Sequence, residues 1–434
     1  MLLEEVMLKV APGGLPGGSR VHRRLEVRGL TPDLRRVSPG TVFVALPERS
    51  ADDPFAAFRA ADLGAQAVIC EPDTPLPRGV TRIEVPDTRR AFAQAASAFF
   101  GHPERSLELL AVRSTPSVQG AGTRRFSTNL VHLLARLLGG QEAPLPCLSE
   151  LSCETGGRWL ARPVSGLDAF EFYEALARSV RAGEPRLIVE AGVALQEDPD
   201  LAARLRWLEP EPIEPEVLQA SWKGAVLSIG GVPVSTRLVG RGNWSAAAAA
   251  VGLASRELMG GRILGRVPRL VATPGFLEPV QAGQSFGVYV DAARTPAELE
   301  QMLGEIRSFH RGRLVLVIGG IAAAGAEGRR ALGAAAARAD EVVVTADDPE
   351  SEPVESLGAD VVSGGRAGQC WVEPERARAI FQAVSRARMG DVVVVAGKAH
   401  RNTQRAEGAM MPWDDRRTLY AALADRGHGG TCLV

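Results

Sequence analysis

Short apolar runs alternate with longer amphipathic stretches along most of this chain. Runs such as TVFVAL (41–46) and RLVLVIGG (313–320) are typical of strands buried on both faces, whereas 89–101 and 296–308 are typical of helices with one apolar face. Strands that alternate with helices of this length favour a parallel, doubly wound α/β sheet. The same patterns predict strands at 65–71, 107–112, 186–192, 285–291, 341–349 and 391–400, and helices at 53–64, 129–138, 245–258, 327–339 and 375–388.

Two breaks in this periodicity divide the chain. The segment 104–107, which follows Pro103, and the segment 272–281, which contains two prolines, have little regular pattern, as linkers between domains do. A chain of 434 residues is long enough for two or three domains. We therefore expect three α/β domains, at residues 1–105, 106–275 and 276–434.

Composition narrows the class of protein. The net charge of −1 and the pI of about 6.6 give no basic footprint for nucleic acid. The five cysteines are scattered without a C-x-x-C pair, which is typical of reduced thiols inside the cell. No N-terminal signal pattern and no apolar run of about 18 residues occurs, so we expect a cytoplasmic protein without a membrane span.

Lysine is scarce in this chain. Only Lys9, Lys223 and Lys398 are present, against 47 arginines, because Lys and Arg together number 50. Any chemistry that requires a lysine therefore has three candidates.

The segment GTRRFST (122–128) stands between a predicted strand and a predicted helix, where a phosphate-binding loop is expected. Such a loop uses glycine backbone N–H groups, a lysine and a hydroxyl to hold nucleotide phosphates. Ser127 provides the hydroxyl, but Phe126 occupies the lysine position and Arg125 a glycine position.

Five segments are similar to sequences of one protein family, the Mur ligases. LTPDLRRVSPGTVFVALP (30–47) is similar to the uridine-binding signature D-S-R-x-V-x-P-G-x-x-F-x-A-L. VDAARTPAELEQML (290–303), TADDPESEP (345–353), AGKAH (396–400) and MPWDDRR (411–417) are similar to V-D-Y-A-H-T-P, T-x-D-N-P-R-x-E-x-P, A-G-K-G-H and the family's closing segment. Their order and spacing extend the resemblance over nearly the whole chain. It is strongest to the branch that adds the third residue of the peptidoglycan peptide.

The resemblance implies a three-domain Mur ligase-like architecture, with a parallel-sheet central ATPase-like domain and a doubly wound C-terminal domain. The first domain would bind the uridine diphosphate of a muramoyl peptide, and the central domain ATP and Mg²⁺. The family converts a carboxylate to an acyl phosphate that an amine then attacks, so the phosphate charge must be neutralised.

The resemblance makes 122–128 the remnant of G-T-N-G-K-T-T. Gly122, Thr123, Ser127 and Thr128 keep the residue type of that motif. Arg125 hinders close approach of the backbone to phosphate, and Phe126 removes the lysine charge. We predict a strand-to-helix turn whose mouth Phe126 or Arg125 blocks. Rescue of phosphate binding by Arg124 or Arg125 is the alternative.

The metal-binding side of the resemblance is also reduced. Glu190 matches the glutamate that binds Mg²⁺ in the family, but the Ser-Ser-His expected after it reads Gly-Val-Ala at 192–194. Lys223 lies in a context that does not match the family's carbamylated lysine. We predict no metal site. For Glu190, a residual role in binding Mg²⁺ and a strand-end carboxylate satisfied by a neighbouring arginine both stay open.

In the third domain the amino-acid pocket has changed its charges. Asp347 and Asp348 remain, but the positions that grip the far end of diaminopimelate in some members hold Glu350 and Arg401, a reversal of both charges. A plain Glu350–Arg401 ion pair is the favoured reading over a new specificity. We expect His400 to pack rather than catalyse.

Asp33, Leu34 and Arg35 form the candidate uridine diphosphate cleft, with Leu34 in place of the family's serine. The alternative is that Asp33 and Arg35 only pair with each other. Arg35 would present a planar cation to a uracil edge or a phosphate.

Fold-bearing positions survive, whereas positions that neutralise phosphate or hold metal have changed. The sequence therefore predicts a pseudoenzyme that binds a UDP-muramoyl-peptide or a protein partner in cell-wall precursor synthesis and uses no cofactor. The alternative is a divergent, active ATP-dependent amide ligase that recruits Arg124, Arg125 and Glu190.

Overall fold

The architecture is taken from a computed structural model of the chain. It describes residues 2–10, 26–47, 53–113, 121–139, 143–149, 152–155, 158–161, 168–190, 199–211, 213–258, 263–406 and 409–428.

The described residues form two compact units, and each unit combines separate stretches of the chain. Unit 1 contains residues 1–112 and 145–208, and unit 2 contains residues 113–144 and 209–434. The predicted central domain, 106–275, is thus divided between the two units. The boundaries near 105 and 275 stay a prediction.

Unit 1 begins with a four-stranded parallel sheet in the order β1-β2-β3-β4. Its strands are Gly29–Thr31 (β1), Thr41–Val44 (β2), Ala67–Cys70 (β3) and Thr81–Glu84 (β4). The helices of this part are Leu3–Val10 (α1), Ala56–Asp62 (α2) and Thr88–Phe99 (α3). Asp87 begins α3, because its side chain accepts a hydrogen bond from the Arg90 N–H.

The second sheet of unit 1 has the order β10-β5-β9-β6-β7-β8 and is parallel from β10 to β6. Its strands are Glu108–Val112 (β5), Cys147–Leu148 (β6), Ser152–Thr155 (β7), Arg158–Ala161 (β8), Arg186–Glu190 (β9) and Leu205–Leu208 (β10). The helices are Ala169–Arg181 (α5) and Pro199–Ala202 (α6).

The first stretch of unit 2 contains a long helix, Ala121–Gly139 (α4). This helix packs against Arg241–Glu257 (α7), which belongs to the second stretch. Small side chains on α7, from Ala246 to Ala250, are all buried, and they allow close helix packing. A three-stranded antiparallel sheet lies between the two helices in the chain. Its strands are Glu216–Ser221 (β11), Gly224–Ile229 (β12) and Val232–Thr236 (β13).

The rest of unit 2 is a doubly wound domain with a six-stranded sheet in the order β14-β15-β19-β16-β17-β18, parallel except for its first strand. The strands are Glu278–Pro279 (β14), Gly287–Asp291 (β15), Leu314–Gly320 (β16), Glu341–Ala346 (β17), Cys370–Val372 (β18) and Val392–Ala396 (β19), with a hairpin of Thr403–Ala406 (β20) and Ala409–Pro412 (β21). The helices are Pro296–Phe309 (α8), Gly325–Ala336 (α9), Val354–Gly364 (α10), Arg376–Arg386 (α11) and Asp415–Asp425 (α12).

The predicted α/β class with parallel sheets is confirmed. The predicted strands and helices of the third domain all occur, most within two or three residues of their observed ends. Helix α8 begins at a capping box between Thr295 and Glu298, followed by Pro296 at its first position.

Among the described residues, none of the helices combines the length and the apolar character needed to cross a membrane.

Candidate functional site

Residues 122–128 lie in helix α4, so the predicted strand-to-helix turn is wrong for this segment. Arg125 lacks the backbone freedom of the glycine that the family has at this position, and both arginine and phenylalanine are compatible with a helix. In a helix the N–H groups beyond the first turn bond to carbonyls four residues earlier, so those of Phe126, Ser127 and Thr128 do not face a ligand. Residues 114–120, which would form the entrance of the loop, lie outside the described part.

A cavity of about 290 Å³ lies in unit 2 beside the first turns of α4. It is bounded by α4, the start of α7, one face of α8 and the segment before β14. Phe126, Ile213, Phe276 and Leu277 form its apolar walls. Arg125 and Phe126 of the segment 122–128 line this cavity, which defines the candidate site.

Arg125 lines this cavity and forms a bidentate ion pair with Asp291 at the end of β15. Its Nη1 donates to Oδ1 at 3.0 Å and its Nη2 to Oδ2 at 2.8 Å. The Asp291 side chain is fully buried, and 14% of the Arg125 side chain is exposed. The guanidinium also lies over the Phe276 ring, 4.9 Å from its centroid. Arg125 therefore joins α4 to the sheet domain of unit 2.

Asp291 is held by two further donors. The Leu277 N–H donates to Oδ2 and the Ala293 N–H to Oδ1, both at 2.9 Å. Four donors saturate the carboxylate, so it presents no free oxygen to a ligand.

A buried amide network also joins α4 and α7. The Asn129 amide donates to Asn243 Oδ1 at 2.6 Å, and the Thr273 hydroxyl donates to Asn129 Oδ1 at 2.7 Å. Asn243 in turn donates to the carbonyls of Val239 and Phe276 at 2.7 and 2.9 Å. Asn243 lines the cavity, but its amide hydrogens already have protein acceptors.

Glu305 of α8 also lines the cavity. Its Oε2 accepts the Gly242 N–H at 3.3 Å, and its Oε1 accepts from the Gln301 amide at 3.1 Å. Burial raises the pKa of Glu305, while Arg125 and these hydrogen bonds act in the opposite direction. The carboxylate thus occupies the N-terminus of α7, which would otherwise attract an anion.

These residues do not fit a nucleoside triphosphate. The lysine position holds an apolar ring, the replacement arginine is paired with Asp291, and a carboxylate faces the cavity. Of the two described arginines that line the cavity, Arg125 is paired with Asp291 and Arg241 is exposed. A phosphate would therefore meet Glu305 and Glu214 with little compensating charge.

A second charged cluster surrounds Asp347 and Asp348 beyond the end of β17. Arg294 donates through Nε and Nη2 to Asp347, both at 3.0 Å, and Lys398 Nζ lies 2.7 Å from Asp348 Oδ1. Burial would raise the pKa of Asp347, but Arg294, Arg376, Lys398 and Arg401 outweigh it and lower that pKa to about 2. Both carboxylates are therefore ionised and internally paired.

The predicted Glu350–Arg401 pair is wrong. Arg401 lies 3.6 Å from Asp348, and Glu350 lies 3.5 Å from Arg405 of β20. Glu350 has a left-handed backbone (φ 56°), as does Asp348 (φ 52°). The pocket is still closed by ion pairs, but with different partners.

His400 is packed, as predicted, with 5% of its surface exposed, and its Nδ1 has no hydrogen-bond partner among the described residues. Burial, together with Arg401, Arg416, His132 and Arg125, lowers the pKa of His400 to about 4. His400 is therefore neutral at physiological pH.

Sequence reasoning missed a fully buried ion pair between Arg376 and Asp415. Two bonds of 2.8 Å join them, and Arg376 also donates to the carbonyls of Ala346 and Ala396 at 3.1 and 3.0 Å. Arg376 thereby joins the ends of β17 and β19. Asp415 belongs to the MPWDDRR segment (411–417), and the resemblance of that segment to the family was the only sequence feature that pointed to this residue.

In unit 1, the residues of the candidate uridine cleft are found in a short 3₁₀ turn. Arg35 Nη2 donates to Asp33 Oδ2 at 2.7 Å and Nε to Oδ1 at 3.0 Å, which confirms that these two residues pair with each other. Leu34 packs against the small core around Phe43. Since 72% of the Arg35 side chain is exposed, its guanidinium stays accessible, and uridine binding stays a prediction.

Glu190 ends β9 and is 2% exposed. Residues 191–198, which include the changed Gly-Val-Ala positions, lie outside the described residues. The role of Glu190 as a metal ligand stays untested.

Comparisons with known proteins find similarity to Mur ligases. Residues 277–399 match the family model "Mur ligase, glutamate ligase domain". Over 94% of its length the chain is 29% identical to the UDP-N-acetylmuramoyl-L-alanyl-D-glutamate–2,6-diaminopimelate ligase of Solibacter usitatus and 27% identical to that of Streptomyces avermitilis, and it covers 95% of each. A solved structure of such a ligase shares the fold with a TM-score of 0.52, at 21% identity and 99% coverage of both chains.

Proposed function

Since this chain is a Mur ligase homologue, we propose that it acts in peptidoglycan precursor synthesis as a pseudoenzyme, which binds a muramoyl-peptide ligand or a partner protein without ATP-dependent ligation. The relatives of diaminopimelate-adding type suggest a UDP-muramoyl-peptide as the ligand class and the cytoplasm as its place of action.

The observation that carries the proposal is the Arg125–Asp291 pair. A phosphate-binding site needs donors that are free to face the phosphate, and both charges of this pair are neutralised by each other. Phe126 adds an apolar wall where the family has its lysine.

The ion pairs around Asp347 support the loss of the amino-acid site as well. A diaminopimelate group carries both an ammonium and a carboxylate, and it would have to replace Arg294, Lys398 and Arg401 on Asp347 and Asp348. Replacing buried pairs is costly because each group left behind loses its partner.

Calorimetry with Mg-ATP tests the proposal directly. Loss of a charge-assisted contact costs about 1.5–3 kcal/mol, so several losses move a micromolar affinity to millimolar or weaker. We expect no saturable heat up to millimolar Mg-ATP. Micromolar binding, or release of ADP in the presence of a UDP-muramoyl-dipeptide and diaminopimelate, would instead establish the divergent active ligase.

The double variant Phe126→Lys with Arg125→Gly is the matched gain-of-function test. If the segment 122–128 alone prevents binding, this variant binds Mg-ATP more tightly than wild type. Met389→Lys, a substitution at an exposed position of unit 2, serves as the control for added charge.

Titration with UDP-N-acetylmuramoyl dipeptide tests the retained ligand. Saturable binding that Arg35→Ala weakens supports uridine nucleotide recognition by the first domain. Identical, non-saturating curves for both proteins leave a partner protein as the target.

A further inference from the structure

One carboxylate in the wall of the unit 2 cavity, Glu305, favours a ligand opposite in sign to a phosphate. Arg125 lines the cavity as well, but its Nη1 and Nη2 both donate to Asp291, which balances its charge. Glu214 and Arg241 line the cavity too, and both are exposed, so their opposite charges are screened by water.

Glu305 retains the capacity to bind a further donor. A carboxylate accepts about four hydrogen bonds, and Glu305 receives one from the Gly242 N–H and one from the Gln301 amide. Each of its oxygens therefore has a remaining lone pair. A charged donor placed there would form a charge-assisted bond, which is stronger than a neutral one.

The walls of the cavity suit an apolar, flat body. Phe126 and Phe276 line it from α4 and from the segment before β14, and Leu277 and Ile213 complete the apolar surface. Aromatic faces attract organic cations, and Phe276 already holds the Arg125 guanidinium at 4.9 Å. A volume of about 290 Å³ is at the lower end of ligand pockets, so it suits a ligand of one or two rings.

We propose that this cavity binds a small organic cation, an amine or amidine attached to an aromatic or aliphatic body, with its charged head on Glu305. The site goes beyond the proposed pseudoenzyme function, and it requires neither ATP nor a muramoyl peptide.

Benzamidine is the probe, and benzamide and benzoate are its neutral and anionic counterparts of nearly the same shape. Calorimetry or ligand-observed NMR on the full chain should show saturable benzamidine binding at least tenfold tighter than that of either counterpart. Equal binding of the three, or no saturation by benzamidine, would overturn the proposal.

Two variants and one control locate the site. Glu305→Gln keeps an acceptor for the Gly242 N–H but removes the charge, and we expect it to lose the tenfold preference. Glu300→Gln, an exposed substitution on the same helix, should keep it. Phe126→Trp narrows the cavity without altering Glu305 and should weaken benzamidine binding, so the test holds even if Glu305→Gln fails to fold.

The Mg-ATP titration of the same protein distinguishes this inference from the proposed function. Benzamidine binding that Glu305→Gln leaves unchanged contradicts the cation site alone, whereas tight Mg-ATP binding contradicts the pseudoenzyme alone.

Discussion

Replacing Arg125 with methionine should destabilise unit 2 much more than the loss of an ordinary surface charge. Methionine keeps the helix propensity and much of the contact with Phe276 but removes both hydrogen bonds to Asp291. Asp291 is then a fully buried charge supported only by the N–H groups of Leu277 and Ala293. Removing one partner of a buried pair costs about 3–5 kcal/mol.

Arg256→Met is the matched control, because Arg256 pairs with Glu211 at 2.8 Å while half of its side chain is exposed. Exposed pairs contribute about 0.2–1 kcal/mol. The double variant Arg125→Met with Asp291→Asn removes the unpaired charge and should cost less than the sum of the two single substitutions.

Urea unfolding gives the free energies, and hydrogen exchange of the 121–139 amides shows where stability is lost. We expect faster exchange along α4 in Arg125→Met and unchanged exchange in Arg256→Met. If the two variants lose equal stability, the pair does not hold α4 to the sheet domain, and the reasoning from burial is wrong.

Two further substitutions test charge burial elsewhere in unit 2. The folded pKa of His400, about 4, lies below the unfolded value near 6.5, so the unfolded chain binds the extra proton in this window and stability falls as pH decreases from 6.5 to 4. His400→Gln should remove up to about 3 kcal/mol of that pH dependence, measured by urea unfolding at several pH values; an unchanged slope refutes it. Asp415→Asn leaves Arg376 without its carboxylate and should cost about 3–5 kcal/mol, whereas Asp425→Asn at the end of the same helix should cost little in the same assay.

The sheets were predictable because buried parallel strands have a simple sequence pattern. The valine runs of β17 and β19 contain no polar residue that would suggest another structure, and Thr295 with Glu298 marks the start of α8. The antiparallel sheet β11–β13 was missed although its signal was present. Gly230 and Gly231 separate two of its strands with φ of 58° and 80°, as a tight hairpin turn requires.

The candidate site was less predictable, because its contacts join residues far apart in sequence. The change at Arg125 was visible, but its partner Asp291 is 166 positions away, and motif comparison gave no reason to connect them. Glu350 and Arg401 were paired on charge alone, and the left-handed backbone at 350 was not foreseeable from the residue type.

Helix α4 is separated in sequence from most of the unit to which it belongs, and this affects how the protein folds during synthesis. Its residues Leu130, Val131, Leu133, Leu134 and Leu137 are all buried, largely against elements that are synthesised later. The ribosome therefore exposes an apolar helix long before α7 and the sheet domain exist to cover it. Any fragment that ends before residue 258 should aggregate or recruit chaperones, and division at residue 275 separates α4 and α7 from the sheet domain of unit 2. Soluble pieces for study are therefore more readily obtained by deleting unit 1 segments around an intact 113–144 and 209–434 than by cutting the chain once.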